Sequence, residues 1–212
     1  QHLARITVAT NQAFDDAKLQ PSDIRFVAAT YAPGLVGSLL VGSQFAKGFA
    51  QALALPFIGI HHIEGHLMAA SGEADFPTTP FIALIVSGGH SALYLCESNF
   101  QFKTLGETRD DAAGEAFDKV AKLLGLGYPG GAAIDALSKT GDPHSFPFTR
   151  PYIAKGNLDF SFSGIKTAAM IFVKRGIEKD SLNGMAASFQ EAVIDVLVSK
   201  AIWAVDATNV KD

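Results

Sequence analysis

The spacing of apolar positions divides the chain into short strands and helices. Leu3, Ile6, Ala9, Ala13 and Ala17 recur at helical intervals, so His2–Leu19 reads as an amphipathic helix. Ile24–Thr30 is an apolar run and reads as a strand buried on both faces. The turn Tyr31–Gly37 leads into a helix over Ser38–Leu53, with Leu39, Leu40, Phe45, Phe49 and Leu53 on its apolar side. Pro56–Ile60 is the next strand, and a further helix follows it. Strand–helix–strand–helix alternation predicts a parallel sheet. Ser71–Pro80, with Gly72, Pro77 and Pro80, interrupts the pattern and marks a boundary. Beyond it, Phe81–Val86 and His90–Leu95 read as a hairpin joined by Ser87-Gly88-Gly89. Thr104–Leu124 reads as a loop and a helix striped with Ala116, Val120, Leu123 and Leu124. Gly125–Gly131 opens a helix, Ala132–Lys139, with Asp135 in its first turn. Phe146–Lys166 has little periodicity, and its end, Asp159–Lys166, reads as a strand turning into a helix. Ser188–Ala204 is an amphipathic helix with Phe189, Val193, Val196, Leu197 and Ile202 facing inward.

Composition narrows the class. The 212 residues, 48% apolar and 18% charged, suit one large α/β domain or two small lobes with a substantial core. No run of apolar residues is long enough to span a membrane. The single cysteine, Cys96, excludes an intramolecular disulfide framework and a cysteine-based zinc site, and reads as a small apolar strand residue. The net charge of −4 gives the whole molecule no attraction for nucleic acid. Yet Lys139–Lys179 holds seven basic residues (Lys139, Arg150, Lys155, Lys166, Lys174, Arg175 and Lys179) against Asp142, Asp159 and Glu178. That stretch reads either as a solvated face or as a nucleic-acid patch. The chain opens on Gln1 rather than Met, and Ala204–Asp212 has left a helix, so both termini read as cut. The lack of a leader segment then gives only weak support to a cytoplasmic location, which is the expectation.

The densest candidate chemistry is His61-His62-Ile63-Glu64-Gly65-His66, three of the six histidines. On a helix, His62 and His66 share a face at i and i+4, the spacing at which two imidazoles can hold one metal ion. His61 is turned about 100° from His62, and Glu64 about 200°. The glutamate is therefore not placed as in the H-E-x-x-H of zinc proteases. Two ligands also fall short of the three that a catalytic metal normally takes from protein.

Other segments have both a chemical and a plain reading. The glycine turn Pro33–Gly37 is an anion cradle or a tight packing turn, and it lacks the lysine of a P-loop. Ser87–His90 is a plain turn or a clasp whose N–H groups hold phosphate or carboxylate, with two glycines able to adopt positive φ. Asp110, Asp111, Glu115 and Asp118 sit near a helix start, where acids favour the helix dipole. The glycine pair before Ala132 suits an anion or a ribose.

Taken in order, His-His-Ile-Glu-Gly-His, Val-Ser-Gly-Gly-His, Asp-Asp-Ala-Ala-Gly-Glu-Ala-Phe-Asp-Lys, Gly-Tyr-Pro-Gly-Gly and Phe-Ser-Phe-Ser-Gly-Ile-Lys-Thr-Ala closely resemble the TsaD (YgjD/Gcp) family. That family comprises threonylcarbamoyltransferases acting on tRNA. The resemblance runs over essentially the whole chain. It implies part of a two-lobed actin/Hsp70/hexokinase-type (ASKHA) α/β fold. Residues 1–78 would form the rear of the first lobe. Residues 79–212 would form the front of the second, with a helical insertion near Glu107–Lys179. It implies one divalent metal per subunit on His62 and His66, with Fe²⁺ expected and Zn²⁺ the alternative. Val86, Ser87, Gly88, Gly89, His90, Asp118, Gly131 and Asp135 would contact threonylcarbamoyl-AMP or an adenine nucleotide, with Asp118 and Asp135 suited to a ribose diol. Implied partners are tRNA, a paralogous actin-fold subunit and an accessory ATPase, with no membrane.

The resemblance also implies departures. Family members carry an upstream strand, a downstream glycine-rich loop with an asparagine, and an aspartate that is the third protein ligand of the metal. None of these falls within Gln1–Asp212. The expectation is therefore weak metal binding and no catalysis by this stretch alone. Two other functions compete with transfer. One is a metalloprotease, a label long attached to the family, against which Glu64 argues. The other is a non-catalytic nucleotide-binding scaffold, against which the presence of both His62 and His66 argues.

Overall fold

The computed structural model describes residues 2–74, 76–97, 101–154, 156–178 and 181–210. The chain is mixed α/β and divides into two compact units, Gln1–Phe76 and Pro77–Asp212.

In the first unit, helix α1 (His2–Ala17) precedes strand β1 (Val27–Ala32), helix α2 (Val36–Ala52), strand β2 (Phe57–His61) and helix α3 (His62–Ala69). β1 and β2 pair in parallel, from Val27 opposite Phe57 to Ala32 opposite His61. The strand–helix–strand order is the one expected, but β1 starts three residues later than Ile24. It is half-buried rather than covered on both faces. α2 buries Ser43, Ala46 and Ala50, a stripe of small residues that lets the helix lie close to β1. Leu40, assigned to the inner face by periodicity, is 52% exposed. α1 has no buried residue, although Phe14 meets Phe49 of α2 with ring centroids 6.0 Å apart.

In the second unit, strands β3 (Phe81–Val86), β4 (Ser91–Glu97) and β5 (Gln101–Glu107) form an antiparallel sheet in that order. Val86 opposite Ser91 closes the β3–β4 hairpin with the four residues 87–90. Strand β5 was not expected. It lies on the sheet edge and shows Gln101, Lys103 and Thr104 to solvent, so it carries no apolar signal. Helices α4 (Ala113–Leu123), α5 (Gly130–Ser138), α6 (Ser163–Lys174) and α7 (Leu182–Thr208) complete the unit. Asp135 therefore lies in the second turn of α5, not the first.

The core gathers on α7, where Phe189, Val193 and Val196 are fully buried; Ile202 points outward and is 54% exposed. The aperiodic stretch before α6 is held by its aromatic side chains. Phe148 packs edge-on to Phe189 and Phe172, and Phe160 stacks on Phe162, with centroids 5.3–6.0 Å apart. Lys200 of α7 is fully buried, donating from Nζ to the carbonyls of Tyr152 (2.8 Å) and Asn157 (2.5 Å). Cys96 is buried in β4, and burial pushes its thiol pKa up, away from the reactive range.

Of the acids near α4, Glu115 sits in that helix's own first turn and pairs with Lys119, as the dipole reading expects, but the others reach to further elements. Asp110 caps α6: Oδ1 accepts the N–H groups of Phe162 (2.8 Å) and Ser163 (3.2 Å), and Oδ2 accepts the hydroxyls of Ser161 (2.6 Å) and Ser163 (2.7 Å). Asp111 bridges Lys119 of α4 and Lys166 of α6. Asp118 accepts the Gly130 N–H at 2.8 Å and so caps α5. Asp159 pairs with Arg109 and accepts the N–H of Glu107. Burial alone would raise the pKa values of Asp110, Asp111 and Asp159. Hydrogen bonds outweigh it at Asp110, and hydrogen bonds together with neighbouring cations do so at Asp111 and Asp159, so all three carboxyls are held below the usual range. A pKa lower in the folded than in the unfolded state adds stability above the unfolded value, and that stability is lost as pH falls through the folded values. Urea midpoints should therefore be insensitive to pH near neutrality, where these carboxylates contribute in full, and fall below about pH 4. The fall should be shallower in Asp110→Asn; an unchanged acid limb would contradict the cap.

Candidate functional site

Two groups of candidate residues lie one on each unit. In the first unit, β2 runs directly into α3, with His61 still extended (φ −82°, ψ 124°) and His62 as the first helical residue. Ile63 and Leu67, four apart, are buried at 2% and 6% exposure and fix the roll of α3. The face about 100° away carries His62 and His66, both exposed. Their Nε2 atoms are 3.1 Å apart, with ring centroids at 4.4 Å and 63° between the rings.

That separation tests whether the pair suits a metal. Two nitrogens each about 2.0–2.1 Å from one ion lie roughly 3.0–3.4 Å apart at neighbouring coordination positions. The histidines fit, and they converge through the same nitrogen. His61 is turned away and meets Tyr31 edge-on at 6.0 Å. Among the described residues, no cluster of three or more His, Cys, Asp or Glu side chains is placed to hold a metal.

In the second unit, a cleft of about 410 Å³ is lined by Val86, Ser87 and Gly88 of the hairpin, by Gly114 and Asp118 of α4, and by Gly131 of α5. Val193, Ile194 and Leu197 of α7 and Tyr128 are also part of its wall. Five expected residues, Val86, Ser87, Gly88, Asp118 and Gly131, thus line one cavity. Gly89 and His90 belong to the same turn but do not line the cleft. Asp135 is one helical turn beyond Gly131 on the same face of α5, exposed and 3.4 Å from Lys139.

The hairpin turn differs from a simple clasp. Neither Gly88 nor Gly89 has positive φ. The N–H groups of His90 (3.1 Å) and Gly89 (3.4 Å) donate inward to Ser87 Oγ, and Ser87 N–H donates to the His90 carbonyl at 2.8 Å. Among the described residues, the Gly88 N–H meets no protein acceptor. A side chain on either glycine would meet nothing within 4 Å, so their smallness keeps the turn open.

Gly114 and the α7 residues were missed by sequence reasoning. A Cβ on Gly114 would lie 2.6 Å from the Ser87 carbonyl oxygen and 2.8 Å from Gly88 Cα. A glycine in the first turn of an otherwise helix-favouring segment was the available signal. The basic stretch is also less free than its composition implied. Lys166 is engaged by Asp111, Arg150 by Asp195 and Lys139 by Asp135, while Lys174 and Arg175 are exposed. Lys155 and Lys179 lie outside the described residues.

Comparison with known proteins bears on the chain as a whole. A family model described as TsaD, tRNA N6-adenosine threonylcarbamoyltransferase, matches residues 1–212. Proteins bearing that name from Syntrophotalea carbinolica and Geobacter sp. (strain M21) are 49% and 50% identical to the chain over 214 and 213 residues, covering 100% of it and 62% of each relative. One from Thermodesulfovibrio yellowstonii is 48% identical over 213 residues, covering 98% of the chain and 64% of the relative. The chain thus spans somewhat under two thirds of the length of these curated relatives. No helix among the described residues is long and apolar enough to cross a membrane. With the family model matching residues 1–212, from α1 to the end of α7 and beyond, the chain belongs to the tRNA N6-adenosine threonylcarbamoyltransferase family.

Proposed function

We propose that this chain is part of an enzyme that moves a threonylcarbamoyl group from threonylcarbamoyl-AMP to the N6 amine of the adenosine next to the anticodon of tRNA. The observation that carries the reading is the 3.1 Å separation of His62 and His66 Nε2, which favours a metal-using transferase over a scaffold. On this reading the two histidines hold one divalent ion, Fe²⁺ being expected and Zn²⁺ the alternative. When bound, such an ion supplies Lewis acidity toward the carbamoyl oxygen.

The cleft residues have separate tasks. The Gly88 N–H, which has no acceptor among the described residues, donates to an anionic or developing oxyanionic oxygen. Asp118 uses Oδ1 on Gly130 and keeps Oδ2 for a ribose hydroxyl. Gly131 leaves the floor at the α5 N-terminus open, where the helix dipole favours phosphate. Asp135, a turn away, serves the outer edge of the ligand by exchanging Lys139 for a hydroxyl. Ile194 and Leu197, backed by the buried Val193, give an apolar wall for a base. Among the described residues of the basic stretch, Lys174 and Arg175 are exposed cations for a phosphodiester backbone, and the rest of the tRNA surface comes from partners, a paralogous actin-fold subunit and an accessory ATPase. The two units would be parts of the two lobes of an actin-like (ASKHA) fold, and the setting would be the cytoplasm.

The reading separates from a peptidase. Glu64 stands about 200° around α3 from His62, where it cannot activate a water held between the two histidines.

For the chain itself, two protein ligands give weak binding. Anaerobic titration with Fe²⁺, or with Zn²⁺ in its place, should give a Kd above about 1 μM that weakens further in His62→Ala. Sub-micromolar affinity that depends on His62 would contradict this, because it would require a third ligand from within the chain.

A further inference from the structure

The Phe-Ser-Phe-Ser-Gly-Ile-Lys segment lines neither the cleft nor the histidine pair, and its placement gives it another task. We infer that Asp110, gripping this segment, is a positioning residue for the substrate-facing hairpin turn. The inference rests on the reading of the cleft as the site for an adenylate.

The connection can be followed bond by bond. Asp110 takes four hydrogen bonds from Ser161, Phe162 and Ser163. Its neighbour Asp111 is tied to Lys166 of the same segment. On the other side of the pair, Arg109 N–H donates to the Phe160 carbonyl (2.9 Å), and Phe160 N–H to the Glu107 carbonyl (3.0 Å). Residues 107–111 are therefore clamped between the sheet and the start of α6, and they lead directly into α4. The first turn of α4 then touches the hairpin in two places. Ala113 N–H donates to the buried Ser91 Oγ at 2.9 Å, and Gly114 N–H donates to the Ser87 carbonyl at 3.2 Å. The missing side chain of Gly114 lets this turn seat directly against Gly88.

The consequence concerns one donor. Among the described residues, the Gly88 N–H is the turn amide that meets no protein acceptor, and it shares one planar peptide with the Ser87 carbonyl. Holding that carbonyl from Gly114 holds the Gly88 N–H. If the α4 entry loosens, the turn keeps its internal bonds through Ser87 Oγ but loses its external brace. Asp110 thus acts on the ligand through α4, without touching it.

The test uses the chain and adenosine monophosphate as the probe, followed through the backbone amide signals of Gly88 and Gly89 by NMR. In the wild type the Gly88 signal should move on titration. Without ligand, Asp110→Ala should shift or broaden the Gly88 and Gly89 signals, and it should weaken adenosine monophosphate by about tenfold. Asp110→Asn, which retains an acceptor oxygen, should restore most of both. Asn183→Ala, which removes an exposed bond to Thr140, is the control and should leave both signals in place. Wild-type amides that ignore the nucleotide would overturn the reading of the cleft. A wild-type response that persists undiminished in Asp110→Ala, with Gly88 and Gly89 unshifted, would overturn the positioning role. If Asp110→Ala does not fold, the same comparison is decided by Ser163→Ala, expected to shift the Gly88 amide; no shift there would also overturn the role.

Discussion

Gly130→Ala should destabilise the second unit by about 1–3 kcal/mol, whereas Gly131→Ala, one residue on, should leave stability unchanged or raise it by up to about 1 kcal/mol. The two glycines open the same helix about 100° apart, one against α4 and the other on the cleft. A Cβ on Gly130 would lie 2.6 Å from Asp118 Cα and 2.8 Å from the Phe117 carbonyl oxygen and Ala121 Cβ, so α5 would have to back away from α4. That movement also draws the Gly130 N–H from Asp118. A Cβ on Gly131 meets nothing within 4 Å and gains the ordinary helical advantage of alanine. It projects into the cleft, however, and should weaken an adenine nucleotide there. Thermal unfolding should separate the pair, with Gly130→Ala lowered by about 2–4 °C per kcal/mol. Equal destabilisation by the two substitutions would contradict the assignment of one glycine to packing and the other to the site.

The same contrast shows what a sequence can reveal. Gly-Gly before a helix signals a special approach, but not which glycine meets protein and which meets ligand; that depends on α4, twelve residues away at Asp118. Strand β3 was legible because Phe81–Val86 is continuously apolar, whereas β5 was not because an edge strand presents polar side chains. The acids of the α4 entry were read as serving their own dipole because that is the local explanation. Asp110 serves α6 instead, through partners some fifty residues away that no local pattern encodes. The α7 residues Val193 and Leu197 were rightly read as facing inward. Periodicity does not distinguish a core face from a cleft wall, so their part in the site was hidden. The histidine pair was legible because both residues lie on one short helix, where spacing alone sets their separation.

The second large effect concerns that pair. If His62 and His66 hold a catalytic ion, removing either leaves a site with too few protein ligands. The loss should reach at least about 100-fold, the upper end of what even an outer-shell partner costs. Stability should change little, since both rings are exposed and α3 is anchored by Ile63 and Leu67 on another face. A large loss of function with an unchanged melting temperature is thus the signature of a ligand role. A parallel fall of both would point to a structural one.

Because the chain spans 62% of the Syntrophotalea carbinolica relative, the decisive measurement places residues 1–212 in the matching stretch of that protein and assays the graft. Purified graft, Fe²⁺, threonylcarbamoyl-AMP and tRNA would be incubated with the partner subunits, and threonylcarbamoyladenosine counted by mass spectrometry of the digested tRNA. The account predicts that the graft forms the modified nucleoside and that His62→Ala and His66→Ala each lose at least about 100-fold while remaining folded. A folded graft that makes the nucleoside equally well without either histidine would contradict it.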